Sequence, residues 1–102
     1  MIVYNVTISV EADIHDDWFR WMRDEHIPDV MATGLFLDSR MVRVLAEEDA
    51  GLTYAVQYTC ADRTTYERYR HEFAPALQAK TQARYGGRFV AFRTLLEVVH
   101  TA

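Results

Sequence analysis

The chain is poor in the residues from which chemistry is most easily read. Among 102 residues there is one cysteine, Cys60, so no disulfide can form within the chain, and this usage fits a reducing, cytoplasmic compartment. No motif around Cys60 marks it as a nucleophile, and no G-x-S-x-G elbow occurs elsewhere. The histidines, His15, His26, His71 and His100, are scattered. Without a close histidine pair on one helix face, a cysteine pair or a carboxylate–histidine cluster of ligand spacing, neither a metal nor a cofactor is expected. No glycine-rich phosphate loop follows a strand. Positive charge is scarce as well. The net charge is −4 and nothing resembles a basic face, which argues against a nucleic-acid partner. Long hydrophobic runs are missing too. The opening stretch MIVYNVTISV is apolar only at alternate positions and has no basic segment before it, so it reads as neither a signal peptide nor a membrane span, and no membrane contact is expected.

What is present is a single domain's worth of core-forming residues. Half the residues are hydrophobic and 13% are aromatic, enough for a ring-rich core in one domain covering residues 1–102, small enough that burial against a partner would help it. Ile2, Tyr4, Val6, Ile8 and Val10 alternate with Val3, Asn5, Thr7 and Ser9, the period of a strand with one apolar and one mostly polar face. Asp13 reads as an N-cap, and Asp16 and Asp17 place negative charge where a helix dipole favours it. Ile14, Trp18, Trp21 and Met22 then share one side of the following helix.

Pro28, which has no N–H to donate and crowds the preceding turn, is expected to end that helix near Ile27. A short turn from Pro28 to Thr33 then closes at Gly34, a left-handed cap. A second strand is predicted from Phe36 to Leu45, an acidic hairpin turn over Glu47, Glu48, Asp49, Ala50 and Gly51, and a third strand from Leu52 to Cys60. Asp62 caps a second helix bearing Tyr66, Tyr69, Phe73 and Leu77, interrupted by Pro75 and ended by Gly86 and Gly87. A fourth strand runs from Arg88 to about Val99, with Val90, Phe92, Thr94, Leu96 and Val98 read as its apolar face.

The order β-α-β-β-α-β is the ferredoxin-like α+β plan, a four-stranded antiparallel sheet with two helices on one face. A faint internal echo supports it, since Met22, Glu25, His26 and Pro28 have the same spacing as Tyr69, Glu72, Phe73 and Pro75. The second sheet face is read as Val3, Asn5, Thr7, Ala55, Gln57, Phe89, Ala91, Arg93, Leu95 and Val99, too apolar for solvent and too polar for a monomer's core. Such a face marks an interaction surface, and two of them meeting across a two-fold axis would bury it, so a homodimer is expected. An RNA-recognition variant of the plan is discounted, because Asn5, Thr7, Ala55 and Gln57 stand where such modules carry base-stacking aromatics.

Candidate chemistry gathers in the first helix. At about 100° per residue, Trp18, Met22 and His26 fall one turn apart with Trp21 beside them, and His26 is the one side-chain type here whose ordinary pKa of about 6.5 permits proton exchange near neutrality. His26 is therefore the candidate catalytic acid or base. Trp18, Trp21 and Met22 are candidate apolar walls, and Tyr54 and Tyr58, on the helix-facing side of the third strand, are candidate polar anchors for a small organic ligand. Each has a plain structural alternative. Phe73 occupies the place of His26 in the second half, so that place serves simple packing, and tryptophans at helical spacing are mostly core. Arg40 and Arg43 fall on opposite sides of their strand, and ordinary solvation or ion pairing accounts for them.

The ordered features Y-N-V-T, W-x-x-W-M-x-x-x-H-I-P-D-V, Y-x-x-Y-x-x-x-F-A-P-A-L and V-A-F-R-T-L-L cover essentially the whole chain. Together they resemble a bacterial family of chains of this length known as a domain of unknown function. That family is similar to the dimeric α/β-barrel superfamily of ferredoxin-like folds, which includes cofactor-independent monooxygenases, muconolactone-isomerase-like proteins and proteins of the ethyl-tert-butyl-ether-degradation type. The resemblance implies a dimeric barrel with a pocket between sheet and helices, at whose edge His26-Ile27-Pro28 would stand. Two readings follow: a small-molecule site at which His26 moves a proton, or a non-enzymatic dimeric module with a closed core.

Overall fold

The computed structural model describes residues 1–46 and 52–102; the acidic turn expected at Glu47–Gly51 lies outside the described residues. Four strands, β1 (Ile2–Val10), β2 (Asp38–Arg43), β3 (Thr53–Cys60) and β4 (Phe89–Glu97), form one sheet in the order β2-β3-β1-β4. Every adjacent pair is antiparallel. The period-two pattern of β1 explains its central place. Tyr4, Val6, Ile8 and Val10 point to the helix side and are buried there, opposite Tyr58, Val56 and Tyr54 of β3. Tyr4, Phe36, Tyr58 and Tyr69 make the centre of the core, with ring centroids 4.9 Å apart for Phe36–Tyr69 and 5.9 Å for Tyr4–Tyr58.

The first helical stretch differs from expectation at both ends. A 3-10 turn, Ala12–Ile14, precedes α1 (His15–Trp21), and no side chain caps either start. Asp13 is not an N-cap; its carboxylate accepts from Arg88, which also holds Glu11. A charge-assisted clamp to the loop after the last helix outcompetes a local cap. Nor does Pro28 break the helix. The chain widens into a π turn over Met22–His26 and continues directly as α2 (Ile27–Met31), with Pro28 in its first turn. The Ile27 N–H reaches back five residues to the Met22 carbonyl, and the widened turn supplies the room that a regular α-turn would deny the proline ring. Gly34, at φ 77°, closes the segment as predicted.

The second helical stretch is α3 (Arg63–Glu72) and α4 (Ala74–Tyr85). The Asp62 side chain caps α3, accepting from the Thr65 N–H at 2.8 Å. Pro75 sits in the first turn of α4, so the break falls at Phe73. The two prolines of the echo thus stand at matching places, each just inside a new helical segment.

The largest correction concerns β4. Pairing with β1 sets Phe89 opposite Val10, Ala91 opposite Ile8, Arg93 opposite Val6 and Leu95 opposite Tyr4. Phe89, Ala91, Arg93 and Leu95 therefore face the helices, whereas Val90, Phe92, Thr94 and Leu96 face away, the reverse of the assignment from the sequence. Phe92 is 64% exposed and Val90 70%. Val99 lies beyond the strand altogether. Both faces of β4 are largely apolar, so alternation separates two faces without saying which turns inward.

Candidate functional site

Turning Ala91 and Arg93 inward leaves space that Val90 and Phe92 would have filled. A cavity of about 530 Å³ lies between the β1–β4 half of the sheet and the helices, within the size range of small-molecule sites, roughly 300–1,000 Å³. His26 enters it from the π turn, Met22 and Val30 from either side of that turn, Tyr58 from β3, Tyr69 from α3 and Arg93 from β4.

His26 is half-buried and stacks on Trp21, with ring centroids 5.0 Å apart and planes 27° apart. Among the described residues neither of its ring nitrogens has a hydrogen-bond partner. Burial lowers its pKa; Asp29 acts against this and Lys80 and Arg93 add to it. A ring held neutral with an unused lone pair can accept a proton from a neighbouring molecule. Burial pushes the phenols of Tyr58 and Tyr69 well above their ordinary range, and Tyr4 beside them adds to the shift, so both remain hydroxyl donors. The Tyr4 hydroxyl accepts from Arg93 Nε at 3.0 Å.

The structure gathers some of the proposed residues and separates others. His26, Met22 and Tyr58 line the cavity. Trp18 does not. It is fully buried under α1, its ring against Tyr54 at 5.3 Å, and its indole N–H has no acceptor. Trp21 backs His26 from outside and borders a shallow cleft with Pro28, Lys80 and Arg84. Tyr54 lies toward the β2 side, its hydroxyl bonded to His15 Nε2 at 2.6 Å and accepting from Arg43 at 2.9 Å, while His15 Nδ1 meets Asp16 at 2.9 Å. Arg43 and His15 thus satisfy Tyr54, and the shared polar pocket expected for Tyr54, Tyr58 and His26 is not formed. Cys60 is fully buried and burial raises its thiol pKa, consistent with an unreactive side chain. Reasoning from the sequence missed Arg93 as a cavity residue. No signal within the strand could have found it, because the side that Arg93 takes is set by the pairing of β4 with β1.

On the opposite sheet face, Arg40 Nε donates to Gln57, Gln57 donates to Asn5, and Asn5 donates to Thr7. This polar strip runs beside exposed Val42, Val90, Phe92 and Leu96. Among the described residues no cluster of histidine, cysteine and carboxylate side chains could hold a metal ion, and no helix is long and apolar enough to cross a membrane.

Residues 1–99 match the family described as Domain of unknown function (DUF4286). The chain belongs to this family. No curated relative matches the DUF4286 sequence. Among solved structures, the chain is similar to HapK from Hahella chejuensis, with a TM-score of 0.74 and 12% identity over 100% of this chain and 96% of that one. It is similar to SnoaB, a cofactor-independent oxygenase from Streptomyces nogalater, with a TM-score of 0.71 and 12% identity over 98% of this chain and 94% of that one. A dimeric ferredoxin-like protein from an uncultured marine organism matches with a TM-score of 0.62 and 12% identity, over 99% and 97% of the two chains. At such identities the likenesses show the fold, and the DUF4286 chain is a ferredoxin-like α+β protein.

Proposed function

We propose that this DUF4286 chain is a homodimeric small-molecule-binding protein of the cofactor-independent kind, monooxygenase- or isomerase-like, in which His26 takes a proton from an organic substrate held in the cavity. The observation that carries the reading is His26 itself, a neutral, partner-free imidazole at the wall of an aromatic cavity of about 530 Å³. Tyr58 offers a hydroxyl to polar atoms of the substrate, and Met22 and Val30 supply apolar wall. Proton loss leaves a substrate anion. An isomerisation returns the proton to another atom of the same molecule, and an oxygenation passes electrons from that anion to dioxygen. The similarity to SnoaB, a cofactor-independent oxygenase, supports this class. The open cavity weighs against a non-enzymatic module with a closed core.

The homodimer reading rests on the outer sheet face, where Val42, Val90, Phe92 and Leu96 are exposed beside a polar strip, and on the similarity to a protein described as dimeric. Native mass spectrometry of the purified protein, repeated under denaturing conditions, tests both parts. The expected result is a dimer carrying a small-molecule adduct that denaturation releases, with the adduct's turnover abolished in His26→Ala while the fold is kept. Unchanged turnover in that variant would remove His26 from the chemistry, and a monomer would overturn the dimer.

A further inference from the structure

We propose that the cavity takes an apolar organic anion, a carboxylate on a ring-sized hydrocarbon body, with Arg93 as the residue that holds its charge. The inference rests on the pocket reading above and names its ligand class. The walls carry a conspicuous charge imbalance. Of the side chains that line the cavity, Arg93 alone bears a fixed charge, and no aspartate or glutamate lines it. No carboxylate among the described residues lies within ion-pair distance of Arg93. The tyrosines around it are held protonated and His26 is held neutral, so nothing in the wall balances the guanidinium.

The geometry adds direction to the charge. Arg93 Nε is committed to the Tyr4 hydroxyl at 3.0 Å, and Tyr4 is buried in the aromatic core, with Tyr66 at 5.3 Å and Tyr69 at 5.7 Å. One edge of the guanidinium is therefore fixed by a rigid support. Its terminal nitrogens have no partner among the described residues, which leaves them free for the planar, two-point contact that arginine makes with a carboxylate. Val6, Ile8, Val56 and Phe89 on the sheet side supply apolar wall for a hydrocarbon body, while Gln78, Thr81 and Gln82 of α4 add neutral polar groups and no second charge. His26 lies on the same cavity, close enough that the Arg93 charge disfavours its protonation. A molecule whose anion sits on Arg93 would thus share one cavity with the proposed base.

The test compares naphthoate with its uncharged isostere naphthamide, followed by chemical-shift changes in isotope-labelled protein, wild type and Arg93→Gln. Arg93 is an exposed edge-strand residue, so the variant is expected to fold. Naphthoate should shift the amides around Ala91, Val30 and Tyr58 and bind about tenfold more tightly than naphthamide, an advantage that Arg93→Gln abolishes. Equal binding of the two probes, or an advantage that survives in Arg93→Gln, would overturn the anion inference while leaving the pocket reading intact. Shifts confined to the Phe92 face would overturn it too. Binding of neither probe would count against both.

Discussion

His26 and Phe73 hold matching places in the two halves of the chain, yet one faces a cavity with its nitrogens unused and the other marks the break between α3 and α4. Their difference should be visible in the pH dependence of stability. Burial places the His26 pKa below 6.5 in the folded state. As pH falls below about 6.5 the unfolded chain takes up a proton that the folded chain refuses, so stability declines with falling pH until the folded pKa is passed, and is fully present above that range. His26→Gln, which cannot titrate, should flatten this limb in chemical denaturation run across pH. An unchanged limb would show that His26 is not the group responsible. Asp13, Asp24 and Asp62 have their pKa values lowered, chiefly by hydrogen bonds from Arg88, Arg23 and Thr65 respectively. Their contributions are lost only as pH falls through the carboxylate range, which separates the two effects. His26 as a candidate was legible from spacing. That it is unpartnered was not, because hydrogen-bond partners come from packing.

At the scale of elements, the widened turn at Met22–His26 is what lets one helix carry both the tryptophans and the cavity-facing histidine past a proline. Pro28→Ala supplies the missing N–H and removes the ring, so the turn is expected to relax toward α-helix. Stability should fall in chemical denaturation despite alanine's better helix propensity, because the relaxed turn takes Val30 out of register with Trp18 and Met22 in the core. Because each residue of a helix advances about 100° around its axis, the relaxation should swing His26 off Trp21, and the change in ring-current shift of the His26 protons would report it. Unaltered His26 shifts would mean that packing, and not Pro28, holds the turn open. The sequence announced a disturbance at Pro28 but not its form. A break and a π turn both accommodate a proline, and only the need to keep Trp18, Met22 and Val30 buried together selects the second.

For the whole molecule, the outer sheet face is the test of assembly. Phe92 is 64% exposed in the single chain, on the outer sheet face, and a sheet-to-sheet dimer would cover it. Phe92→Asp should raise the dimer dissociation constant by at least about thirtyfold, read by analytical ultracentrifugation, with little loss of the protomer's own stability because the side chain contributes little to its core. A wild-type protein that sediments as a monomer would remove the premise.

The linear pattern by itself determined the element order, the helix-facing side of β1 and β3, the Asp62 cap and the Gly34 turn. Each of these follows from local chemistry, through period-two alternation, a side-chain acceptor at a helix start and a backbone position with positive φ. The inward face of β4 was decided only by pairing. Phe89, Ala91, Arg93 and Leu95 could have been surface and Val90, Phe92 and Leu96 core until the register with β1 chose between them. The same choice put Ala91 and Arg93 against the helices, and with them the cavity and its charge. A cavity is volume left over between elements, and no spacing within one element can record it.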